Sequence, residues 1–339
     1  MTTLLRCNPD FEMRLARQPP PLGPAAEAAA LVARLFALAG PMGSRVQLLL
    51  GDACTDLDGD ALRRQARAAG LYDETAAAAA PWNTPGDHAV AYARDDRTAE
   101  NPREEEVSAR CNRKDLSAQL ARSEGLEPGL FAHVRVVTSV DAIREALARV
   151  PDAMAAHWVL KPVLGFAGGG RVAGRGRTLP ARAAARAQAH LRRDGALVLE
   201  PWVERLADHS TQLFVDDDLT VRLLFTLVLR NNASGRYRGN ASLPADDPVR
   251  PALERAARVA GRWLAHAGYR GPAGVDAFVY RDPLTGAVEV RPLVEINARF
   301  TLGLLAAFAG TGGGRRAGFH FRFDTAQPFG EFRDEAGER

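Results

Sequence analysis

A short apolar strand followed by a glycine-rich segment is the feature that most constrains this chain. Trp158, Val159 and Leu160 form an apolar run that predicts a buried strand, and Lys161 follows directly. Six glycines then fall within residues 165–176. Glycine backbone can turn its N–H groups toward an anion because no Cβ blocks the approach, and a nearby lysine adds a point charge. The segment is typical of a phosphate-binding loop, although a flexible loop beside a salt-bridged lysine would have the same pattern. Its spacing fits neither the Walker pattern nor GxGxxG.

The choice of basic residues singles out the same lysine. Of 44 lysines and arginines, only Lys114 and Lys161 are lysines. Guanidinium is planar and wide, whereas an ammonium group is compact and can sit among phosphate oxygens. The count indicates two positions where arginine does not serve. Chance survival of two lysines in an arginine-rich chain is the alternative.

Composition restricts the class of protein. A chain of 339 residues can hold two or three domains, and its net charge of +3 is small. The arginines are spread along the chain, so we expect no nucleic-acid partner. No run of eighteen apolar residues predicts a membrane span, and the polar N-terminus lacks a signal core. Three cysteines, Cys7, Cys54 and Cys111, form no CxxC pair, which predicts reduced thiols in a cytoplasmic protein.

Hydrophobic periodicity predicts an α/β region followed by a region rich in long strands. In the first hundred residues, predicted strands at 2–6, 45–50 and 88–93 alternate with helices at 25–39 and 60–69, which is typical of an open parallel sheet. The charged residues 96–113 predict a solvated connection between domains, and a helix is predicted from Lys114 to about Ser123. From residue 211 onward long strands predominate, residues 231–240 read as a polar loop, and 319–323 read as one edge strand before a frayed end.

Two carboxylates on consecutive predicted strands form a candidate metal site. Asp276 lies in the apolar strand 274–280, and Glu295 ends the strand 289–295. Asn297 follows two residues later and so points to the same face in extended backbone. Carboxylate and amide oxygens suit Mg²⁺ or Mn²⁺, and a lone carboxylate in an apolar strand would be costly to bury. Edge carboxylates paired with arginines are the alternative.

The order of these motifs resembles the ATP-grasp superfamily of ligases over about residues 105–310. The motifs are Lys114, then Lys161 before the glycine loop, then Glu200-Pro-Trp-Val-Glu204, Asp276 and finally Glu295-Ile-Asn-Ala-Arg299. The resemblance implies a mixed α/β and α+β protein, in which a small N-terminal α/β domain precedes two α+β subdomains that grip ATP. The implied boundaries are 1–105 for the N-terminal domain, 106–200 for the subdomain with the lid, 201–320 for the subdomain with the metal site, and 321–339 for a tail.

The resemblance also implies roles for individual residues. In the metal site, Asp276, Glu295 and Asn297 would hold Mg²⁺ or Mn²⁺, and Arg299 with Lys161 would act on the transferred phosphate. The nucleotide-binding positions are Lys114 and Lys161 on the phosphates, Gly168, Gly169 and Gly170 in the lid, Glu200, Trp202 and Val203 at the adenine, Glu204 at the ribose, and His209 and Gln212 near the nucleotide.

The implied activity is ligation of a carboxylate to an amine. ATP would activate the acid as an acyl phosphate, and amino acids or small peptides are the expected substrates. A small-molecule kinase and a non-catalytic nucleotide-binding module are the alternatives, and a homodimer stays open. Four arginines are candidate carboxylate clamps, with a basic surface as the alternative for each: Arg222, Arg230, Arg236 and Arg238.

Overall fold

The computed structural model describes residues 3–7, 46–50, 88–91, 102–165, 169–231, 237–311, 319–322 and 331–334. The N-terminal part contributes a three-stranded parallel sheet in the order β2-β1-β3. Its strands are β1 (Thr3–Cys7), β2 (Val46–Leu50) and β3 (His88–Ala91). The predicted parallel sheet is therefore confirmed, while the helices predicted at 25–39 and 60–69 lie outside the described residues.

Two helices connect this region to the rest of the chain. The first, α1 (Pro102–Cys111), lies where a solvated connection was predicted, and that prediction was wrong. Val107, Ser108 and Cys111 are buried in this helix, whereas Arg103, Glu105 and Glu106 are exposed. Cys111 is a free thiol, and burial raises its pKa to about 12. The second helix, α2 (Lys114–Ser123), has the predicted bounds.

A four-stranded antiparallel sheet carries the lysine motif. Its order is β4-β7-β5-β6, and one face packs against helices through Ile143, Leu147, Trp158 and Leu199. A 3-10 turn (Gly129–His133) precedes it. The elements are β4 (Arg135–Val137), α3 (Val140–Arg149), α4 (Asp152–Ala156), β5 (Trp158–Pro162), β6 (Val172–Gly174), α5 (Ala181–Asp194) and β7 (Leu197–Pro201).

A seven-stranded antiparallel sheet carries the carboxylate motif. Its order is β12-β11-β8-β9-β10-β13-β14, and helix α6 packs on one face through Ala256, Ala260 and Leu264. The elements are β8 (Glu204–Val215), β9 (Val221–Asn231), β10 (Tyr237–Ser242), α6 (Arg250–His266), β11 (Gly271–Arg281), β12 (Val288–Asn297), α7 (Leu302–Thr311), β13 (Phe319–Arg322) and β14 (Glu331–Asp334).

Two predictions for this sheet need correction. Part of the predicted polar loop at 231–240 is strand β10. It pairs antiparallel with β9, and the register runs from Gly239 opposite Arg230 to Ser242 opposite Leu227. The predicted frayed end contains β14, which pairs with β13 as a hairpin at the sheet edge. Among the described residues, no helix is both long and apolar enough to cross a membrane.

Candidate active site between the two sheets

The candidate site lies between the inner faces of the two larger sheets. On β5 and β7, Val159 pairs with Glu200 and Lys161 pairs with Val198, so these four side chains share one face. The opposite face, with Trp158 and its neighbours, belongs to the helix-covered core. The inner face meets the seven-stranded sheet through an apolar cluster that includes Val163, Val198, Phe131, Phe278 and Tyr280.

Beside this cluster, a buried carboxylate joins cations from both sheets. One oxygen of Glu200 forms an ion pair with Lys161 Nζ, and the other accepts a hydrogen bond of 2.7 Å from Arg291 Nη1. Burial opposes the charge on Glu200, but Arg291 and Lys161 outweigh it and lower its pKa to about 2. Burial also lowers the pKa of Lys161 to about 8, although Glu200 opposes this change.

The candidate metal ligands lie next to this group on β11 and β12. Asp276 pairs directly with Glu295 across the two strands, so both carboxylates project from the same face. Asn297 Nδ2 donates to Asp276 Oδ2 at 3.0 Å, and Arg299 Nη2 donates to Asn297 Oδ1 at 3.2 Å. The structure therefore brings together the four residues that the sequence predicted.

A chain of hydrogen-bonded side chains from β8 and from the residue before α7 supports Asp276. Ser210 Oγ donates to Asp276 Oδ1 at 2.8 Å, and Gln212 Nε2 donates to Ser210 Oγ at 2.7 Å. Thr301 Oγ1 donates in turn to Gln212 Oε1 at 2.6 Å. Thr301 also accepts from Leu304 N at 3.0 Å at the start of α7, so this helix end is connected to the carboxylate.

The two carboxylates differ in their electrostatic environment. Burial, followed by the charge of Glu295, raises the pKa of Asp276 to about 7. Burial also opposes ionisation of Glu295, but Lys114, Lys161 and Arg299 together outweigh it and lower its pKa. Two facing half-buried carboxylates, one of them hard to ionise, are an arrangement that a divalent cation would relieve.

The donor set fits magnesium in part. Within the described residues no three His, Cys, Asp or Glu side chains are grouped to hold a metal ion. The set offers two carboxylates and one amide, namely Asp276, Glu295 and Asn297. Magnesium is commonly bound by one or two carboxylates, with water and substrate phosphate completing its shell. The residues therefore fit a metal that arrives with a phosphate ligand.

Lys114 connects the glycine-rich segment to the carboxylate pair. Its Nζ lies 2.9 Å from Glu295 Oε2 and 3.4 Å from the carbonyl oxygen of Gly165, where the glycine-rich segment begins. Its backbone N–H donates to Val163 O at 2.9 Å, just after β5. Both lysines of the chain thus lie in one cleft, each paired with a buried or half-buried glutamate.

The α1–α2 junction is fastened to the end of β12. Asn112 Oδ1 accepts from Ala298 N at 3.0 Å, and Ser117 Oγ accepts from Ile296 N at 3.1 Å. Both contacts lie next to Glu295 and Asn297 in the chain. They fix the backbone of the candidate metal ligands relative to the helix that begins at Lys114.

The segment after Glu200 is more open. Trp202 is 39% exposed. Its backbone N–H donates to the carbonyl oxygen of His157 at 2.9 Å, so this N–H is already hydrogen-bonded and is not available to a ligand. Arg171, from within the glycine-rich segment, has its guanidinium carbon 5.2 Å from the centre of the Trp202 ring. Val203 is half-buried, and the exposed Glu204 is 4.0 Å from Arg281 Nε.

Several predicted residues lie elsewhere or outside the description. The side chain of His209 alternates with that of Ser210, so it faces away from Asp276 and is not part of this group. Gly168 and Arg236 lie outside the described residues. Gly169 is exposed, and Gly170 has φ +75° and packs beside Pro162 and His190.

The candidate carboxylate clamps that the structure describes differ in their surroundings. Arg222 is bound to Asp216 at the β8–β9 turn, at 2.5 and 2.8 Å, which supports the alternative of a surface cation. Arg230 is exposed near the end of β9, and Arg238 is half-buried in β10.

Two charged residues of the cleft were missed in the sequence. Arg291 is 1% exposed in β12, and Glu127 has both carboxylate oxygens buried near it, with Arg291 Nη2 at 3.9 Å. In an arginine-rich chain, Arg291 reads as one more surface cation. Its position inside the apolar strand RPLVEIN was the available signal, the same one that singled out Glu295.

The comparisons with known proteins bear on the fold. No protein-family profile matches the sequence, and no curated protein matches it. Phosphoribosylamine–glycine ligase from Thermotoga maritima is similar in structure, with a TM-score of 0.55 at 11% identity, over 95% of this chain and 79% of the ligase. Biotin carboxylase from Campylobacter jejuni, solved as a beta-gamma-ATP complex, has a TM-score of 0.52 at 12% identity, over 95% of this chain and 75% of the carboxylase. Both have the ATP-grasp fold, and this chain has it too, as the order of its motifs predicts.

Proposed function

We propose that this protein is an ATP-dependent ligase that activates a carboxylate as an acyl phosphate for attack by an amine. The observation that carries the proposal is the 2.9 Å contact between Lys114 and Glu295. It joins a lysine beside the glycine-rich segment to the carboxylate pair, so a phosphate-binding and a metal-binding group share one cleft. The ATP-grasp fold supports the same function.

The balance of charge in the cleft supports a polyphosphate ligand. Burial lowers the pKa of Arg171, as does the charge of Arg205, while Glu200 and Glu295 oppose this change. Arg171 is therefore close enough to interact electrostatically with Glu200 and Glu295. The same two glutamates are paired with the two lysines of the chain. Cations from several elements therefore converge where a triphosphate would lie, and their mutual repulsion would be relieved by it.

Particular residues would hold the nucleotide and the metal. Lys114 and Lys161 would bind phosphate oxygens, and Asp276, Glu295 and Asn297 would bind Mg²⁺ or Mn²⁺. ATP would supply the phosphoryl group, and the metal ion would neutralise its charge. Phosphoryl transfer needs positioning and charge stabilisation more than covalent help from the protein. Arg299, held on Asn297, would stabilise the transferred group.

The remaining residues would protect and orient the reactants. The glycine-rich segment, including Gly168, Gly169 and Gly170, would cover the phosphates and exclude water from the acyl phosphate. Glu200, Trp202 and Val203 would border the adenine, with Glu204 at the ribose. For the adenine, backbone atoms other than the Trp202 amide would be needed. We propose amino acids or small peptides as substrates and the cytoplasm as the location.

Product analysis tests this function. The protein is incubated with Mg·ATP and amino acids in pairs, one of each pair carrying ¹⁸O in its carboxylate. A ligase that forms an acyl phosphate releases ADP and inorganic phosphate containing one ¹⁸O atom, and only when acid and amine are both present. A stable phosphorylated product without free phosphate would indicate a kinase instead. The Glu295→Gln variant, with its metal site weakened, is the matched control.

A further inference from the structure

Glu200 has more cationic partners than a single carboxylate requires. Its side chain is 4% exposed, and Lys161 and Arg291 each bind one of its oxygens. Leaving a buried charge without any partner is strongly destabilising, whereas one well-placed partner already compensates it. Because Glu200 has two cationic partners, one of them can leave while the other still compensates the buried charge.

Arg291 is the partner that is held in place. Its guanidinium lies 4.2 Å from the centre of the Phe131 ring and 5.9 Å from that of Phe278. Its Nη2 lies 3.9 Å from a buried oxygen of Glu127. Contacts with two aromatic rings thus hold the guanidinium from other directions, on a strand of the opposite sheet.

Lys161 is the partner that can move. The ammonium ends a flexible four-carbon stem, so a rotation about its side-chain bonds carries Nζ several ångströms. It lies on the same sheet face as Glu200, beside the glycine-rich segment, and it also acts electrostatically on Glu295. A phosphate entering between the two sheets would compete with Glu200 for it.

We infer that Arg291 is a positioning residue that keeps Glu200 neutralised while Lys161 turns from Glu200 to a nucleotide phosphate. The inference rests on the proposed function, since it assumes that a nucleotide enters this cleft. Without Arg291, the departure of Lys161 would leave Glu200 buried and unpaired, so Lys161 would stay on Glu200. A direct role for Arg291 at the phosphate is disfavoured because its side chain is 1% exposed and its Nη1 is bound to Glu200.

Two substitutions combined in a cycle test the inference. Affinity for Mg·ADP is measured by calorimetric titration in wild type, Arg291→Gln, Glu200→Gln and the double variant. We expect Arg291→Gln to weaken binding by roughly tenfold or more in wild type, and by less than about threefold when Glu200 is already glutamine. Adenosine, which has no phosphate, should bind both members of each pair equally. A merely structural defect would weaken adenosine as well.

The outcomes separate this inference from the proposed function. Equal losses in the two backgrounds, or a parallel loss of adenosine binding, would overturn the role of Arg291 while wild-type binding still supported the function. Failure of wild type to bind Mg·ADP would overturn the proposed function and the inference with it. Circular dichroism checks that each variant folds. If Arg291→Gln does not fold, Arg291→Lys makes the same comparison with a smaller expected loss, since it keeps the charge but offers one donor group.

Discussion

Replacing Lys161 by arginine keeps the charge and tests whether the compact ammonium group is required. Lys161 is in β5, whose five residues are all buried, and its Nζ is paired with one oxygen of Glu200. A guanidinium would present a fork to both carboxylate oxygens, including the one that Arg291 occupies. We therefore expect the new side chain to stay on Glu200 and to be a poor ligand for phosphate.

The magnitude follows from what is lost and what is added. A hydrogen bond to a charged group contributes about 1.5–3 kcal/mol, which corresponds to roughly 10- to 150-fold in affinity. Lys161→Arg should therefore weaken Mg·ADP binding by one to two orders of magnitude. Adding volume to a packed site costs about 1–3 kcal/mol, so the free energy of unfolding should fall by a similar amount.

Calorimetric titration with Mg·ADP and unfolding in urea measure the two effects. Arg144→Lys is the control, because it makes the reverse exchange on an exposed face of α3, where Arg144 pairs only with the exposed Asp141 among the described contacts. The control should leave both quantities unchanged within error. If Lys161→Arg binds Mg·ADP as wild type does, the requirement for ammonium is refuted and the two lysines of the chain lose their significance.

Three further predictions concern the metal site, a buried carboxyl group and the packing of β5. Glu295→Gln should lose phosphoryl transfer by far more than it loses Mg·ADP affinity, measured by turnover and titration, since it removes a charge that would hold Mg²⁺ but leaves the lysines in place. Burial raises the pKa of Glu127 to about 7, against the opposing charge of Arg291, so the folded state holds this proton more tightly than the unfolded chain. The protonated Glu127 side chain therefore contributes fully to stability below about pH 4.5, and this contribution is lost as the pH rises to about 7. In urea unfolding, Glu127→Gln should become more stable relative to wild type between about pH 5 and pH 8. A stability difference that does not change with pH would contradict the raised pKa. Gly174→Ala should lower the free energy of unfolding by about 1–3 kcal/mol, because the new Cβ would overlap the Trp158 ring, and an unchanged urea midpoint would refute that contact.

Much of the fold was readable because local patterns and tertiary structure agree. The strand at Trp158, the helix that begins at Lys114 and the paired strands carrying Asp276 and Glu295 were all predicted at nearly the observed bounds. Errors fell where a pattern serves two purposes. The charged segment 96–113 contains helix α1. The helix was missed because a mostly charged helix with only a few buried residues resembles a solvated connection in composition.

The candidate site was readable as far as short-range sequence allows. Glu295 and Asn297 are two residues apart in one strand, so their common face follows from the pleat. The pairing of Glu200 with Arg291 joins residues 91 positions apart in different sheets, and no local pattern encodes it. The support that Ser210 and Gln212 give to Asp276 likewise depends on the register of β8 against β11.

The most direct test of the central claim is the binding of Mg·ATP to the cleft. The melting temperature and a calorimetric titration are measured for wild type and for Lys161→Ala, each with Mg²⁺ alone and with Mg·ATP. A ligand at a hundred times its Kd stabilises the folded state by about 2.7 kcal/mol, so the melting temperature of wild type should rise by several degrees. Lys161→Ala should fold and show a much smaller rise at the same ligand concentration. A flat titration and an unchanged melting temperature in wild type at saturating Mg·ATP would contradict the account.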